Sequence, residues 1–483
     1  MPLAITTFVI TYVLLIDGYY RRTAVVLFAA AFLMLVGVLT PLQALQAIDW
    51  NVMGIFFGML VIADLFLASR MPAVLAAKLA SRTKTVGAAV LGMCVLASAL
   101  SAFLENVAVV LILAPIALAL AQQLKARAAP FLIGIALSSN LQGTATLVGD
   151  PPSMILGAFA NLTFNDFFWY GGRPGIFFAV QVGALCSFAM LWFLFRKFRA
   201  TIGAIPVERP RSSVPSVLLG GVIVALAVIS FTVHDFPYAS GLTVLTFALV
   251  GWLWHLITEQ PHTSYPPSPP LPLGGGETIL FSPSTAVEGE RLVPRSFSEV
   301  GEGEARVPLS RAAQRFRTFR ERLRPGHELL RQLDWETTLF LVGVFVVVGS
   351  LSATGAITAF TEWFQTLTGG SIGRTYVLLV VFSVALSAFI DNVPFVLAML
   401  PVAQGLAANL GTPPFLLYAG LLLGASVGGN ITPIGAAANI IAYRWIEEKA
   451  KEPITFMGYV KYGLPFTLVA VGAAAAFGWF AWR

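Results

Sequence analysis

The chain has 483 residues, 57% hydrophobic against 11% charged, and a formal net charge of +6. Its many apolar runs of about 20 residues match the length that crosses a bilayer as helix, which argues against a soluble protein and for a polytopic membrane protein. These runs are continuous, not alternating, and therefore favour helices over a barrel, so the expected fold is all-α.

Taken in chain order, the run from Leu3 to Ile16 has no basic residue before it and no small-residue cleavage site after it, and reads as a first span, not a removable signal. Spans near 23–40 and 52–69 follow. Basic residues cluster at Arg21 and Arg22, between Arg70 and Lys84, at Lys125 and Arg127, between Arg196 and Arg211, and between Arg444 and Lys451. Placing these loops in the cytoplasm gives a multi-pass protein of the cell (plasma or inner) membrane with its N-terminus outside. Arg173, Arg374 and Arg483 are isolated exceptions. Asp49 and Asp334 each precede a Trp and open a span, which suits helix N-caps beside an interfacial indole. Cys94 and Cys186 both sit in apolar runs and read as core residues, too few for a disulfide framework or a thiolate site.

Two apolar stretches are interrupted in the same way. SAFLENVAVVLILAP runs from Ser101 to Pro115 and SAFIDNVPFVLAMLP from Ser387 to Pro401, so Glu105 and Asp391, like Asn106 and Asn392, stand 286 residues apart. The same offset lays SNLQGTATLVGDPPSMI, from Ser139, over ASVGGNITPIGAAANII, from Ala425, and pairs Ser153 with Asn439. AIDWN at Ala47 and QLDWE at Gln332 match one residue out of that register. The chain is an internal duplication. Residues 1–210 form the first repeat, with a hairpin at about 85–124 and a broken helix at about 131–160. Residues 211–258 begin the second and 333–483 complete it, with a hairpin at about 375–409 and a broken helix at about 413–443.

Five apolar spans, near 131–160, 175–195, 215–235, 239–258 and 335–352, separate the two interrupted stretches. An odd number turns equivalent segments to opposite sides of the membrane, so the repeats are inverted, the symmetry that lets a secondary transporter expose one site to either side. Between them, 259–332 is rich in Pro, Gly, Ser, Glu and Arg and cannot bury enough apolar surface to fold alone. It reads as a disordered cytoplasmic insertion; a nucleic-acid arm or regulatory domain is the alternative, against which its position between two halves counts.

The runs flanking Asp391 and Asn392 are near 16 residues each, short for a full span, and predict a re-entrant hairpin with its tip inside the membrane; those flanking Glu105 and Asn106 are nearer 18 or 19. A carboxylate at mid-bilayer costs roughly 2.5 to 3.5 kcal/mol and is tolerated beside water, a partner or an ion. The alternative is that both acids cap solvated turns. GTATLVGDPPS and GGNITPIGAAAN bring Gly, Pro and polar residues into apolar spans, where the helices should break and free backbone groups for ions. Thr144, Thr146, Ser153, Asn430, Thr432 and Asn439 add neutral ligands, and Asp150, before Pro151 and Pro152, serves equally as ion ligand or helix cap. No catalytic set accompanies them: the four histidines, His234, His255, His262 and His327, lie near span ends or in the insertion.

These paired stretches resemble the signatures of the ion transporter superfamily, and within it the P-type permease branch, which groups arsenite-pump-like and NhaD-type sodium/proton antiporter-like proteins with the pigmentation P protein and shares a citrate transporter-like domain. The resemblance covers nearly the whole chain outside the insertion. It implies an elevator-type secondary carrier whose hairpins and broken helices slide against a scaffold, often as a homodimer. Family relatives have Asp where Glu105 stands and Asn where Ser153 stands. The expected function is transport of a small inorganic or organic ion coupled to H+ or Na+, with antiport or efflux favoured. Alternatives are Na+-coupled di- or tricarboxylate uptake, arsenite efflux, or an ion channel. No cofactor, resident metal or nucleic-acid partner is expected, although Na+ could visit the same residues. Acids at both tips, with no Lys or Arg in either motif, disfavour a dianion unless cations neutralise them.

Overall fold

Helix starts follow the capping residues of the sequence. Asp49 accepts from the backbone N–H groups of Asn51 and Val52, Thr85 from Ala88, Asp334 from Thr337 and Thr455 from Gly458, each supplying a partner for donors that a helix start leaves free. The computed structural model describes residues 1–17, 21–123, 125–196, 198, 209–233, 236–258, 329–331 and 333–483. The expected insertion, apart from 329–331, lies outside the described residues, as do Lys197, Arg199, His234, His262 and His327.

The helices are α1 (Pro2–Asp17), α2 (Arg22–Leu35), α3 (Pro41–Ala47), α4 (Trp50–Ala68), α5 (Met71–Ser81), α6 (Val86–Ser101), α7 (Asn106–Gln123), α8 (Ala129–Gly143), α9 (Pro151–Phe159), α10 (Ile176–Phe195), α11 (Val214–Thr232) and α12 (Ala239–Thr258). After the insertion come α13 (Trp335–Ala353), α14 (Ala356–Thr368), α15 (Ile372–Ser387), α16 (Asn392–Asn409), α17 (Phe415–Gly428), α18 (Ala437–Arg444) and α19 (Phe456–Trp482). Contacts divide the chain into two compact units, Met1–Gly251 with Leu333–Arg483, and Trp252–Gln332. Within the second unit, only the end of α12 and residues 329–331 are described.

Among the described residues, α4, α10, α11, α12, α13, α16 and α19 are long and apolar enough to cross a membrane. They differ in role: 67% of α4 and 61% of α13 is buried inside the protein, against 22% of α11. Outward apolar side chains such as Phe28, Leu35, Leu185, Phe231 and Phe480 are exposed, as a lipid-facing belt requires. At the centre stand α8 and α17, buried at every residue. Helices apolar all round belong in such a core.

Close packing there rests on glycine. Gly420, Gly424 and Gly428 line up one turn apart on α17, and a Cβ at Gly428 would stand 2.7 Å from the Val384 Cα and 2.8 Å from its carbonyl oxygen on α15. Backbone cannot step aside as a side-chain tip can, and small residues are what let membrane helices approach so closely. Gly428→Ala is therefore expected to destabilise by about 1–3 kcal/mol, read as a lower melting temperature in detergent. Gly472→Ala on α19, where a Cβ meets nothing within 4 Å, serves as the neutral control.

Several expectations need correction. The span expected near 23–40 ends at Leu35, because Gly37 takes a left-handed φ of 74° and Thr40 opens α3 with a reciprocal cap to Gln43. The hairpin arms have equal lengths in the two halves: α6 and α15 have 16 residues each, α7 and α16 have 18. The Thr85 cap starts α6 and the turn at Ala102 ends it, so the apolar run overstates this arm. Short helices α5 and α14 follow α4 and α13 and were not expected; α14 is amphipathic, burying Ala356, Thr361, Phe364 and Thr368 while exposing Trp363, and bends 116° into α15. The chain is also not wholly helical. β1 (Trp169–Tyr170) pairs antiparallel with β2 (Arg173–Pro174), across Gly171 and Gly172 at φ 57° and 78°, the conformation a two-residue hairpin turn needs. Cys94 is buried as expected, but Cys186 is exposed on α10.

Candidate functional site

The two interrupted stretches fold alike. α6 stops at Ser101 and α7 begins at Asn106; α15 stops at Ser387 and α16 begins at Asn392. Each acid ends the intervening link as the cap of the next helix. A Glu105 carboxylate oxygen accepts from the Ala108 N–H at 3.1 Å, and Asp391 accepts from the Val393 N–H at 3.1 Å. Both acids are half-buried, so capping a turn and facing a site are not exclusive roles. Asn106 is buried, its Oδ1 accepting from Ser101 Oγ at 2.6 Å, and Ser139 Oγ donates to Ser101 Oγ at 2.9 Å. Asn392 is half-buried at the start of α16.

The two expected breaks are present. α8 ends at Gly143 and α9 resumes at Pro151, with Asp150 as its cap, accepting from the Ser153 N–H at 3.0 Å. α17 ends at Gly428, a short turn covers Gly429–Ile431, and α18 resumes at Ala437. Each break is tied to the adjacent hairpin tip by one repeated contact: Thr146 donates to the Ala102 carbonyl, and Thr432, 286 residues on, to the Ala388 carbonyl. The close approach this requires is made at Gly149 and Gly435. A Cβ at Gly149 would lie 2.9 Å from the Ser101 carbonyl oxygen, and one at Gly435 would lie 2.8 Å from that of Ala388.

Between the breaks the two halves meet through buried amides. The Asn140 side-chain NH2 donates to Asn430 Oδ1 at 2.8 Å and to Asn439 Oδ1 at 2.9 Å. Asn430 in turn donates to the Leu137 carbonyl at 3.0 Å, and Asn439 to the Gly429 and Thr432 carbonyls at 2.9 and 3.1 Å. Asn140 on α8 thus closes the second break from the first half of the chain. Thr144 is fully buried, donating to the Asn140 carbonyl at 3.4 Å, and Ser153 Oγ donates to the Gly143 carbonyl at 3.5 Å.

The structure therefore brings Thr144, Asn430, Asn439 and Asn140 together, ties Thr146 and Thr432 to the tips, and places Ser153 beside Asp150. It joins no hydrogen bond or ion pair between Glu105 and Asp391 among the described residues. Asp391 instead meets Arg22 at the start of α2, Nη1 to Oδ2 at 3.3 Å. Neither motif contains a cation, but the fold delivers one from 369 residues away. Sequence reasoning took Arg22 as a marker of topology and did not single out Asn140, Ser426, Ser101 or Ser139. The 286-residue register held a signal for three of these, since Asn140 pairs with Ser426 and Ser101 with Ser387. Nothing local marks Arg22.

Comparison with known proteins finds transporters among the relatives of this chain. An uncharacterized transporter of Mycobacterium bovis is 30% identical over 483 residues, covering 99% of this chain and 97% of its own length. An uncharacterized transporter of a Synechocystis strain is 26% identical over 490 residues, 97% of this chain and 95% of its own. The P protein of Homo sapiens is 25% identical over 458 residues, and the matched part spans 89% of this chain and 53% of that longer relative. Among solved structures, the Alcanivorax borkumensis YdaH transporter aligns over 93% of this chain and 87% of its own at 13% identity, with a TM-score of 0.48. Residues 12–260 and 319–483 match the CitMHS family, described as citrate transporter. Those two segments contain both hairpin tips and both helix breaks, and the chain belongs to that family of membrane transporters.

Proposed function

We propose that this transporter is a secondary active carrier that moves a small inorganic or organic ion against a flow of H+ or Na+, through a site built from Glu105, Asn106, Asp391 and Asn392 at the tips and Thr144, Thr146, Asp150, Ser153, Asn430, Thr432 and Asn439 at the breaks. The observation that carries this reading is the contact of Thr146 with Ala102 and its copy, Thr432 with Ala388. It ties a polar tip to a broken helix twice, which suits two half-sites that move together. In this reading the halves, 1–210 and 211–258 with 333–483, are inverted repeats whose re-entrant hairpins and broken helices travel as an elevator, in a plasma membrane and with the N-terminus outside. The likeness to the P protein favours the P-type permease branch within the superfamily.

A second reading has its own support. The family description names citrate, and Arg22 beside Asp391 neutralises one of the two tip acids that would otherwise repel a carboxylate substrate. The test is purified protein in liposomes with an internal pH dye, challenged with Na+, arsenite, phosphate, a dicarboxylate and citrate under imposed proton or sodium gradients. Coupled flux with one panel member identifies the cargo. Passive, gradient-independent leak would replace the carrier with a channel.

A further inference from the structure

Resting on the carrier reading above, we propose that the two half-sites have diverged, so that the coupling monovalent cation binds at the first alone, among Glu105, Asp150, Ser153 and Ser426. The second is closed by the protein's own groups.

The charges differ first. Asp391 faces the Arg22 guanidinium at 3.3 Å, with the Tyr12 phenol also near, and a guanidinium stays protonated throughout the working range. That carboxylate is compensated without any transported ion. Glu105 has no ion-pair partner among the described residues, and the charged groups near it, Asp334 and Asp150, are both acids. Helix packing shows why the first tip lacks an arginine. Gly343 on α13 packs against Val26 and Leu27 of α2, while Gly58 on α4 packs against Val244 and Leu245 of α12. Matching these contacts sets Val26 on Val244, 218 residues later, and therefore Arg22 on Ser240. A neutral residue occupies the arginine's place.

The breaks differ in the same direction. At offset 286, Asn140, Asn430 and Asn439 correspond to Ser426, Thr144 and Ser153, and Asp150 corresponds to Ala436. The amide set satisfies both hydrogens of Asn140 and contains no charge. The first break carries an acid among short hydroxyls. Asp150 is 0% exposed and Ser426 is 1% exposed; Asp150 Oδ2 and Ser426 Oγ face each other in a contact too loose for a hydrogen bond of good geometry, and neither has another partner among the described residues. A buried carboxylate with an unpaired oxygen is a costly arrangement, and a bound cation removes both the charge and the orphaned acceptor. A proton on Oδ2 would be donated to Ser426 Oγ. Na+ would use the same oxygens with that of Ser153. Either is a monovalent cation held by oxygen ligands.

The test uses full-length protein in detergent, with thermal melts in Na+ against N-methylglucamine and as a function of pH, and folding checked by gel filtration. Wild type should be stabilised by one of the two cations, and which arm responds tells H+ from Na+. Asp150→Asn should weaken the apparent affinity about tenfold or more. Ser426→Asn should do the same while raising the melting temperature without cation, because an amide there donates to Asp150 as Asn140 donates to Asn430. The double variant Arg22→Gln with Asp391→Asn, which removes the second tip's charges from the transport site, should impair coupled flux in liposomes yet keep the wild-type cation response in the melts. The proposal is overturned if that double variant loses the response, if Asp150→Asn and Ser426→Asn both keep it, or if wild type responds to neither cation. The carrier reading stands or falls separately, on coupled flux in liposomes.

Discussion

Asn140→Leu should lower the melting temperature of the purified protein by several degrees, the largest stability loss expected from a single polar substitution here. The side chain is nearly isosteric, so little packing is lost. Its removal leaves Asn430 Oδ1 and Asn439 Oδ1 buried without the donor that each now has at 2.8 and 2.9 Å. An unsatisfied buried acceptor costs about 1–3 kcal/mol, so two cost roughly 2–6 kcal/mol. The pseudo-equivalent change, Ser426→Ala, should cost much less in the absence of cation, since that hydroxyl loses only a loose contact with the Asp150 carboxylate and no hydrogen bond of good geometry. Equal losses from the two substitutions, measured by detergent thermal melts, would show that the two breaks are energetically alike after all.

Glu105→Gln is expected to suppress coupled flux in liposomes by roughly ten- to a hundredfold, the equivalent of one charge-assisted contact of about 1.5–3 kcal/mol. The amide oxygen can still accept from the Ala108 N–H, so the cap on α7 and the hairpin should survive. What disappears is the negative charge, which no basic side chain neutralises among the described residues. In the proposed carrier, that charge serves to bind the coupling cation. Wild-type flux in the Gln variant would reduce Glu105 to a helix cap and move the coupling group elsewhere, with Asp150 next in line.

The duplication was legible because it is written in residue identities: SAFLEN and SAFIDN, and the two Gly-rich breaks, share one register over long stretches. Caps at Asp49, Asp334 and Asp150 were legible for a similar reason, as a short polar side chain before a helix acts within three residues. Run lengths were less informative. Hydropathy sees apolar side chains, whereas helix ends are decided by a threonine cap or a left-handed glycine, as at Thr85 and Gly37. The amphipathic helix α14 escaped notice because its exposed Trp363 and Leu367 blur the apolar pattern.

By itself, then, the sequence determined that this is a duplicated, helical membrane protein with polar interruptions at matched places, because periodicity, cap chemistry and repeat register are local or translational properties of the chain. Only the tertiary structure decided that the two halves are unequal. Arg22 reaches Asp391 across 369 residues, and Asn140 closes a break that begins 289 residues later at Gly429. Such pairings depend on which helices pack side by side, and no periodicity along the chain records that.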